Sequence, residues 1–195
     1  MGAGAVPTLT IGDAQAIAEL PNIAAVAPTV PGTAQLVYGP NNWSTQIIGT
    51  LPSYLDVRDW KLSAGYPFAE SDVRAATRVA LLGQTVVKNL FGDEDPVGKT
   101  IRIRQSPYLV IGVLAMKGQS LDGRDQDDSV IIPVTTAQRK LFGSQFQGTV
   151  RFIMAQAESA KAMPAAERAI NQLLRQRHHL QENAENDFTV RNLTA

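Results

Sequence analysis

The sequence contains no cysteine, which excludes disulfides, thiolate metal sites and cysteine nucleophiles. The compartment stays open, because a chain of 195 residues can fold in an oxidising space without cross-links. No apolar run approaches the roughly 20 residues that a membrane-spanning helix needs. Residues 1–6 lack the basic segment and the length of a secretion signal. Taken by itself, the chain is predicted to be soluble and to carry no targeting signal.

An excess of charge of either sign is also absent. Eighteen basic and eighteen acidic residues cancel, and the isoelectric point is about 6.7. This balance gives no electrostatic reason to expect nucleic acid or an anionic membrane as a partner. The composition, 44% apolar and 18% charged, is that of a globular protein with one large domain or two small lobes.

Local patterns predict a mixed sequence of helices and strands. Thr10 and Asp13 form the capping pair of a first helix, and Pro21 ends it. Residues 51–77 have weak periodicity, which predicts an irregular connection with one short helix. The clearest prediction is a hairpin of alternating and continuous apolar strands at residues 100–104 and 108–114. The other predicted strands are residues 23–30, 36–38, 45–50, 79–82, 130–134, 149–155 and 187–191, and the other predicted helices are residues 85–91, from Thr135 or Thr136 to Phe142, and from Pro164 to about His178.

The motif Gly98-Lys99-Thr100 matches the end of the phosphate-binding loop pattern, but its surroundings do not fit such a loop. Such a loop needs four residues between its first glycine and the Gly-Lys-Ser/Thr, and it leads from a strand into a helix. Here five residues follow Gly92, the flanking elements are reversed, and the acidic residues 93–95 would repel a phosphate. The motif is interpreted as a turn.

Two further clusters are weighed as metal sites. Residues 122–128 hold four aspartates, but they do not match an EF-hand, and a solvated acidic loop or aspartates that cap turns are the favoured interpretations. His178 and His179 are adjacent, so on a helix their side chains point about 100° apart. They are predicted to favour the dipole at the helix end rather than to chelate an ion. No catalytic, cofactor-binding or metal-binding residue is therefore predicted.

Aromatic residues offer a weaker indication of a binding surface. Trp60, Tyr54 and Tyr66 are interpreted as core or core-edge residues. Trp43 lies in an apparent hairpin loop over residues 39–44, and loops commonly carry contacts. Together with Tyr38 and Asn42, Trp43 is predicted as a possible contact for a partner protein.

An ordered set of motifs along the chain resembles the extracytoplasmic, or periplasmic, core domain of MacB-like ABC transporter permeases. The set covers nearly the whole chain. Its members are Arg78-Val-Ala-Leu-Leu-Gly83, Leu90-Phe-Gly92, Asp95-Pro-Val-Gly98-Lys-Thr-Ile101 and Val110-Ile-Gly-Val-Leu114, together with Pro28, Ile48-Gly-Thr50, Leu62 to Gly65, Asp127-Asp128, Ile132-Pro133 and Asp187-Phe188.

The resemblance implies an α+β fold of two lobes. A porter-like βαβ lobe would be built from residues 1–50 and 134–195, and an inserted, sheet-rich, sabre-like lobe from residues 51–133. The family's first porter strand has no convincing counterpart in residues 2–7. Such a domain is inserted between two transmembrane helices, on the extracytoplasmic face of the cytoplasmic membrane.

The resemblance also implies a mechanical role without catalytic residues or a cofactor. In the family, a cytoplasmic ATPase powers a homodimer, and Gram-negative members work with a periplasmic adaptor (membrane-fusion) protein and an outer-membrane channel. The isolated domain is expected to be a monomer, because the membrane helices and ATPases hold the dimer. Three alternatives remain: a lipoprotein-releasing or other FtsX-like permease domain, a free-standing ligand-binding module, and a hydrolase with an unrecognised carboxylate pair.

Overall fold

The computed structural model describes residues 8–143 and 148–190 of the chain. These residues form eight strands and six helices. The strands are β1 (Ile23–Tyr38), β2 (Asn41–Thr50), β3 (Leu62–Gly65), β4 (Val79–Leu82), β5 (Thr100–Ile103), β6 (Ser106–Leu114), β7 (Ser129–Pro133) and β8 (Phe152–Ala157). The helices are α1 (Ile11–Ala18), α2 (Ser53–Val57), α3 (Glu70–Ala75), α4 (Gln84–Phe91), α5 (Val134–Thr136), which continues as a π-helical turn over Ala137–Leu141, and α6 (Met163–Arg177).

The 16-residue strand β1 replaces the two separate strands predicted at residues 23–30 and 36–38. Pro31 lies inside β1, although proline cannot donate a hydrogen bond to a neighbouring strand. This position is tolerated because β1 pairs there with β2 alone. Its pairing with β8 ends at Thr29, and its pairing with β5 begins at Leu36.

Six strands close on themselves into a small barrel. Around the ring, β1 pairs with β2, β2 with β7, β7 with β4, β4 with β6, β6 with β5, and β5 with β1. The pairs β2–β7 and β4–β6 are parallel and the other four are antiparallel. Outside the ring, β3 pairs with β6, and β8 pairs with the first half of β1.

Alternate residues of the six strands fill the barrel, as a closed sheet of this size requires. Arg102, between two such residues of β5, is exposed, which confirms the predicted alternation. Helix α4 contributes Val86 and Leu90 to the same cluster. The buried residues that the strands contribute are Ala34, Leu36, Ile47, Ala80, Leu82, Ile101, Ile103, Tyr108, Val110, Val130 and Ile132.

Two further apolar clusters lie outside the barrel. One packs Tyr54, Trp60 and Phe68, from α2 and the segments on either side of β3, against the outer faces of β4, β6 and β7. The other joins Ile17 of α1 to Leu174 of α6 beside β1 and β8. The interpretation of Trp60 and Tyr54 as core residues is therefore confirmed, whereas Tyr66 is 60% exposed.

Several predicted elements differ in detail. Residues 51–77 hold two short helices and a strand instead of one short helix. The β5–β6 hairpin closes through Arg104 and Gln105 alone, both with positive φ, rather than through three residues. The helix after β7 begins at Val134 without a side-chain cap, because the hydroxyls of Thr135 and Thr136 donate to distant carbonyl oxygens.

The predicted final strand is not formed over residues 187–190, since this segment packs against α6 without strand pairing. Residue 191 and the N-terminal residues 2–7 lie outside the described residues. Within the two described ranges, none of the helices combines the length and apolar character that crossing a membrane requires. The mixed α/β, sheet-rich architecture is confirmed, while the division into two lobes at residues 50/51 and 133/134 stays a prediction.

Candidate partner-binding surface

The acidic loop (residues 117–128) connects β6 to β7 and is fixed at its base by a buried carboxylate. Asp127 is 4% exposed, and it accepts hydrogen bonds from the backbone N–H groups of Lys117 at 2.8 Å and Gly118 at 2.9 Å. Its own N–H donates to the carboxylate of Asp125 at 2.9 Å. The two ends of the loop are therefore joined through one side chain.

The tip of the acidic loop is a tight turn that presents a leucine to solvent. The N–H of Ser120 donates to the carbonyl of Arg124 at 2.8 Å, and the N–H of Gly123 donates to the carbonyl of Ser120 at 2.9 Å. Leu121, at the centre of this turn, is fully exposed, and Met116, just before the loop, is 77% exposed. Isolated exposed apolar residues are common on proteins. Leu121 differs from most of them because the backbone that presents it is hydrogen-bonded on both sides.

The acidic loop is also attached to the barrel. Asp128 accepts hydrogen bonds from Trp43 Nε1 at 2.8 Å and Thr45 Oγ1 at 2.7 Å, both on β2. On the other side, Thr85 of α4 donates its hydroxyl proton to Asp125 at 2.5 Å. The loop is therefore held from two neighbouring elements, and its aspartates act as acceptors within the fold, as the turn-capping interpretation predicts.

The predicted contact residues Tyr38, Asn42 and Trp43 lie together at the end of the β1–β2 hairpin. The prediction that Trp43 lies in a loop is wrong: the hairpin closes through residues 39–40, so Trp43 is part of β2, where it pairs with Leu36. Trp43 is half-buried against the barrel core, and Asn42 is exposed. Whether these three residues contact a partner stays a prediction.

Tyr38 has packing partners of its own. Its ring lies 4.1 Å from that of Phe91, centroid to centroid, and its hydroxyl donates to Glu94 at 2.8 Å. The hydrogen bond to Glu94 raises the pKa of Tyr38 above its ordinary value. Glu94 also pairs with Lys99 at 3.7 Å. The N–H of Lys99 donates to the carbonyl of Pro96 at 3.1 Å and closes a turn that leads into β5, which confirms the interpretation of Gly98-Lys99-Thr100 as a turn between helix and strand.

Replacing Trp43 with phenylalanine tests the link between β2 and the acidic loop. We expect the free energy of unfolding to fall by about 1–2 kcal/mol, because a hydrogen bond to a half-buried carboxylate is lost. Tyr38→Phe is the matched control, since it removes one hydroxyl whose acceptor is solvated, and we expect a loss of about 0.5 kcal/mol. Urea unfolding followed by circular dichroism measures both, and equal losses would show that the Trp43–Asp128 bond contributes no more than the solvated Tyr38–Glu94 bond.

A second polar cluster joins residues from near the start of the described chain to residues from near its end. Asp13, which caps α1 with Thr10 as predicted, is 2% exposed. Its carboxylate accepts from Arg177 Nε at 2.7 Å and lies 2.9 Å from His178 Nε2. The other ring nitrogen of His178, Nδ1, lies 2.8 Å from Asp187. The helix end at His178 is as predicted, but its contacts extend well beyond the helix dipole.

Electrostatics in this cluster follow from competing effects. Burial alone would raise the pKa of Asp13, but hydrogen bonds from Arg177 and His178 lower it below its ordinary value. Burial alone would lower the pKa of His178, but hydrogen bonds to Asp13 and Asp187 raise it above its ordinary value. Both carboxylates are occupied by donors, so the cluster is an ion-pair network. Across the part of the chain that the structure describes, no group of three or more metal-ligating side chains is placed to hold an ion.

Sequence reasoning missed Leu121 and the partners of Asp13. A leucine within a polar loop, flanked by Gly118 and Gly123, was the available indication for Leu121. For Asp13, the capping pair was readable, but Arg177 and His178 lie 164 and 165 residues away. A single sequence contains no recognisable pattern that links residues so far apart.

Comparison with protein families gives one match that covers most of the chain. The family described as the MacB-like periplasmic core domain matches residues 1–173. Among curated relatives, the chain is 42% identical over 187 residues to the macrolide export ATP-binding/permease protein MacB of Rhodospirillum rubrum. This alignment covers 95% of the chain and 28% of that protein.

A relative that is named for a different cargo also matches. The chain is 36% identical over 173 residues to the pyoverdine export ATP-binding/permease protein PvdT of Pseudomonas aeruginosa, which covers 89% of the chain and 26% of that protein. The chain therefore spans only about a quarter of the length of these relatives.

Solved structures with a similar fold include the periplasmic region of MacB from Actinobacillus actinomycetemcomitans. That match has a TM-score of 0.77 at 26% identity and covers 89% of the chain and 76% of the solved chain. The extracellular domain of the noncanonic ABC-type transporter YknZ from Gram-positive bacteria matches with a TM-score of 0.74. At 19% identity, this second match concerns the fold alone.

Proposed function

The chain belongs to the family of MacB-like periplasmic core domains, and on this premise we propose that it is the extracytoplasmic module of a MacB-type ABC exporter. A domain of this family is not itself catalytic. In the proposed exporter, the transmembrane helices and the cytoplasmic ATPase lie outside this chain and hold a homodimer together. The module transmits the ATP-driven conformational change to the expulsion of substrate at the extracytoplasmic face of the membrane.

We further propose that the acidic loop is the surface on which a periplasmic adaptor protein docks. The observation on which this depends is the fixed turn that presents Leu121. An apolar side chain on a preorganised turn can bind without the cost of ordering a flexible loop. A module that transmits motion also needs its contact surface attached firmly to its core, and Asp125 and Asp128 provide that attachment.

Polar groups around Leu121 suit a contact of this kind. Asp122 pairs with Arg124 at 3.7 Å, and both side chains are mostly exposed. Charged groups at the rim of an interface steer association and contribute little to affinity, whereas a central apolar side chain can contribute much of it. We therefore expect affinity to depend on Leu121 and the association rate to depend on the two charged neighbours.

Replacing Leu121 with serine tests the docking surface. We expect the affinity for the adaptor protein of the same export system to fall about tenfold or more, with stability unchanged because the side chain is solvated. Leu109→Ser is the matched control, since Leu109 is 41% exposed on β6, outside the acidic loop. Surface plasmon resonance with the purified adaptor measures both.

Outcomes of this experiment separate the permease alternatives. Tight binding by the unmodified chain, lost in Leu121→Ser and kept in Leu109→Ser, supports the exporter assignment. Equal affinities for all three proteins would exclude the acidic loop as the docking surface. Absence of adaptor binding, combined with binding of a lipoprotein-sorting partner, would favour the lipoprotein-releasing or FtsX-like permease instead.

A further inference from the structure

The imidazole of His178 lies between two carboxylates that come from opposite ends of the chain. Its Nε2 is 2.9 Å from Asp13 Oδ2, and its Nδ1 is 2.8 Å from Asp187 Oδ1. A neutral imidazole has one N–H and can donate to only one of them. Only the doubly protonated imidazolium donates to both. The geometry therefore fits the charged form, in a side chain that is 9% exposed.

Three parts of the structure meet at this imidazole. Asp13 belongs to the first turn of α1, His178 follows the last residue of α6, and Asp187 lies in the C-terminal segment (residues 181–190). The ring of Phe188 meets the imidazole edge-on, with 5.9 Å between the centroids. The hydroxyl of Thr8 donates to the backbone carbonyl of Asp187 at 3.2 Å. The first described residue and the C-terminal segment are therefore in direct contact.

The C-terminal segment is also attached to α6 through hydrogen bonds of its first part, residues 181–186, to Arg175 and Asn171. The guanidinium of Arg175 donates to the carbonyl oxygens of Ala184 at 2.9 Å and Gln181 at 2.7 Å. These bonds hold the start of the segment and do not involve Asp187. If the contact between His178 and Asp187 is lost, residues 187–190 are held by the Thr8 hydrogen bond and by the packing of Phe188 against the α1–α6 cluster, so they separate from α1 more readily while the start of the segment stays in place.

Charged groups face His178 from each of these elements. Asp13 faces it from α1 and Asp187 from the C-terminal segment, and Arg177 of α6 shares the carboxylate of Asp13 through Oδ1 at 2.7 Å. With His178 protonated, two cations balance two carboxylates. After loss of the proton, one of the two hydrogen bonds from the ring becomes a repulsive contact between lone pairs. Arg177 still satisfies Asp13, so the contact to Asp187 is the one that weakens.

We propose that His178 is a proton-operated clamp that holds the C-terminal segment against α1 when the imidazole is charged and releases Asp187 when it is neutral. The sign of the pH dependence follows from the raised pKa of His178 in the clamped state. The clamp is complete below the ordinary histidine pKa of about 6.5 and weakens as the pH rises through the raised value. Each unit by which the clamp raises this pKa changes the clamped-to-released ratio about tenfold.

In the exporter proposed above, both ends of this chain lead towards membrane helices, and this part of the inference rests on that proposed function. A closed clamp makes the two ends move as one body, whereas an open clamp lets them move separately. The coupling between membrane helices and module would then depend on the pH of the extracytoplasmic space. The clamp itself can be tested on the chain alone, so its failure is distinguishable from failure of the exporter assignment.

An NMR titration of the His178 imidazole in the chain tests the clamp. His179 is exposed and adjacent, and the variants His178→Gln and His179→Gln assign the two imidazole signals. We expect the pKa of His178 to lie above the ordinary histidine value of about 6.5, because its ring nitrogens are hydrogen-bonded to Asp13 and Asp187. The ring signals of Phe188 and the amide protection of residues 187–190 are expected to change with the same midpoint.

Asp187→Asn is the second variant, because it opens the clamp and leaves the pair Asp13–Arg177 intact. We expect it to lower the pKa of His178 and to reduce amide protection of residues 187–190 about tenfold at pH 6. His179→Gln is expected to leave both unchanged. The proposal is overturned if His178 titrates at or below the ordinary histidine pKa of about 6.5, or if Phe188 and the segment do not respond to its titration.

Discussion

Replacing Asp13 with alanine is expected to lower the free energy of unfolding by about 3 kcal/mol at pH 7. Its buried carboxylate accepts from the backbone N–H of Thr10 at 3.1 Å and from Arg177 Nε at 2.7 Å, and it lies 2.9 Å from His178 Nε2. Alanine leaves the N–H group at the start of α1 without its acceptor. It also leaves His178 without one of its two counter-charges. Both effects act in the same direction.

Asp72 provides a matched control for this prediction. It holds the same capping position in α3, where it accepts from the backbone N–H of Ala69 at 2.9 Å, but that bond is exposed. We expect Asp72→Ala to cost about 1 kcal/mol or less, the contribution of the cap alone. Urea unfolding at pH 7 compares the two variants. Equal losses would mean that Arg177 and His178 contribute nothing through Asp13.

The difference between the unmodified chain and Asp13→Ala also has a defined pH dependence. The pKa of Asp13 is lowered in the folded chain, so its contribution is complete above the ordinary aspartate pKa of about 3.9. It is lost as the pH falls through the lowered value. Repeating the unfolding experiments at several acidic pH values should therefore show the two proteins converging. A difference that persists in strong acid would assign the effect to packing rather than to charge.

Local chemistry explains which elements could be predicted from the sequence. The alternation of Ile101 and Ile103 and the helical spacing of residues 85–91 each depend on neighbours in the chain, and both elements are present. The capping pair of Thr10 and Asp13 spans three residues and is also present. In each case the residues that decide the structure lie within one turn or one strand of each other.

The predictions that failed required knowledge of distant partners. The first strand was predicted to end at residue 30, but β1 continues through Pro31. Whether a proline is tolerated in a strand depends on which strands flank it, and these come from residues 41–50, 100–103 and 152–157. The closed barrel was not predicted for the same reason, because its parallel pairs join strands that are distant in sequence. Trp43 was placed in a loop because the local pattern indicated a long turn, whereas pairing with β1 extends β2 to Asn41.

For the candidate surfaces too, local patterns could be recognised in the sequence, whereas contacts between distant residues could not. Family resemblance was readable from ordered motifs of glycine, proline and apolar residues, and the family match over residues 1–173 confirms it. Asp122, Asp125 and Asp127 accept backbone hydrogen bonds within the loop, as turn capping predicts, whereas the roles of Asp128 towards Trp43 and of Asp125 towards Thr85 depend on the folded barrel. The prediction of a solvated loop is wrong for Asp127, which is buried. The exposure of Leu121 likewise became visible only in the structure.

Gly83→Ala is expected to lower the free energy of unfolding by about 2–3 kcal/mol, although its backbone suits any residue. With φ at −73°, replacement by alanine would ordinarily stabilise a protein by about 0.4–1 kcal/mol, because it restricts the unfolded chain. Here a Cβ atom would lie 2.1 Å from the backbone oxygen of Asp127 and 3.0 Å from that of Ser129. Neither backbone atom can move unless the base of the acidic loop moves with it.

Gly123→Ala separates this steric effect from the general cost of replacing a glycine. Gly123 lies at the tip of the same loop with φ at +83° and with nothing within 4 Å of the added Cβ, so we expect a cost of about 1 kcal/mol from the backbone conformation alone. Hydrogen exchange distinguishes the two variants, because the N–H groups of Lys117 and Gly118 are protected by Asp127. Gly83→Ala should reduce their protection and Gly123→Ala should not. The base of the acidic loop also positions Leu121, so Gly83→Ala should weaken adaptor binding as well. If both adaptor binding and the protection of the Lys117 and Gly118 N–H groups are unchanged, the start of α4 does not position the loop.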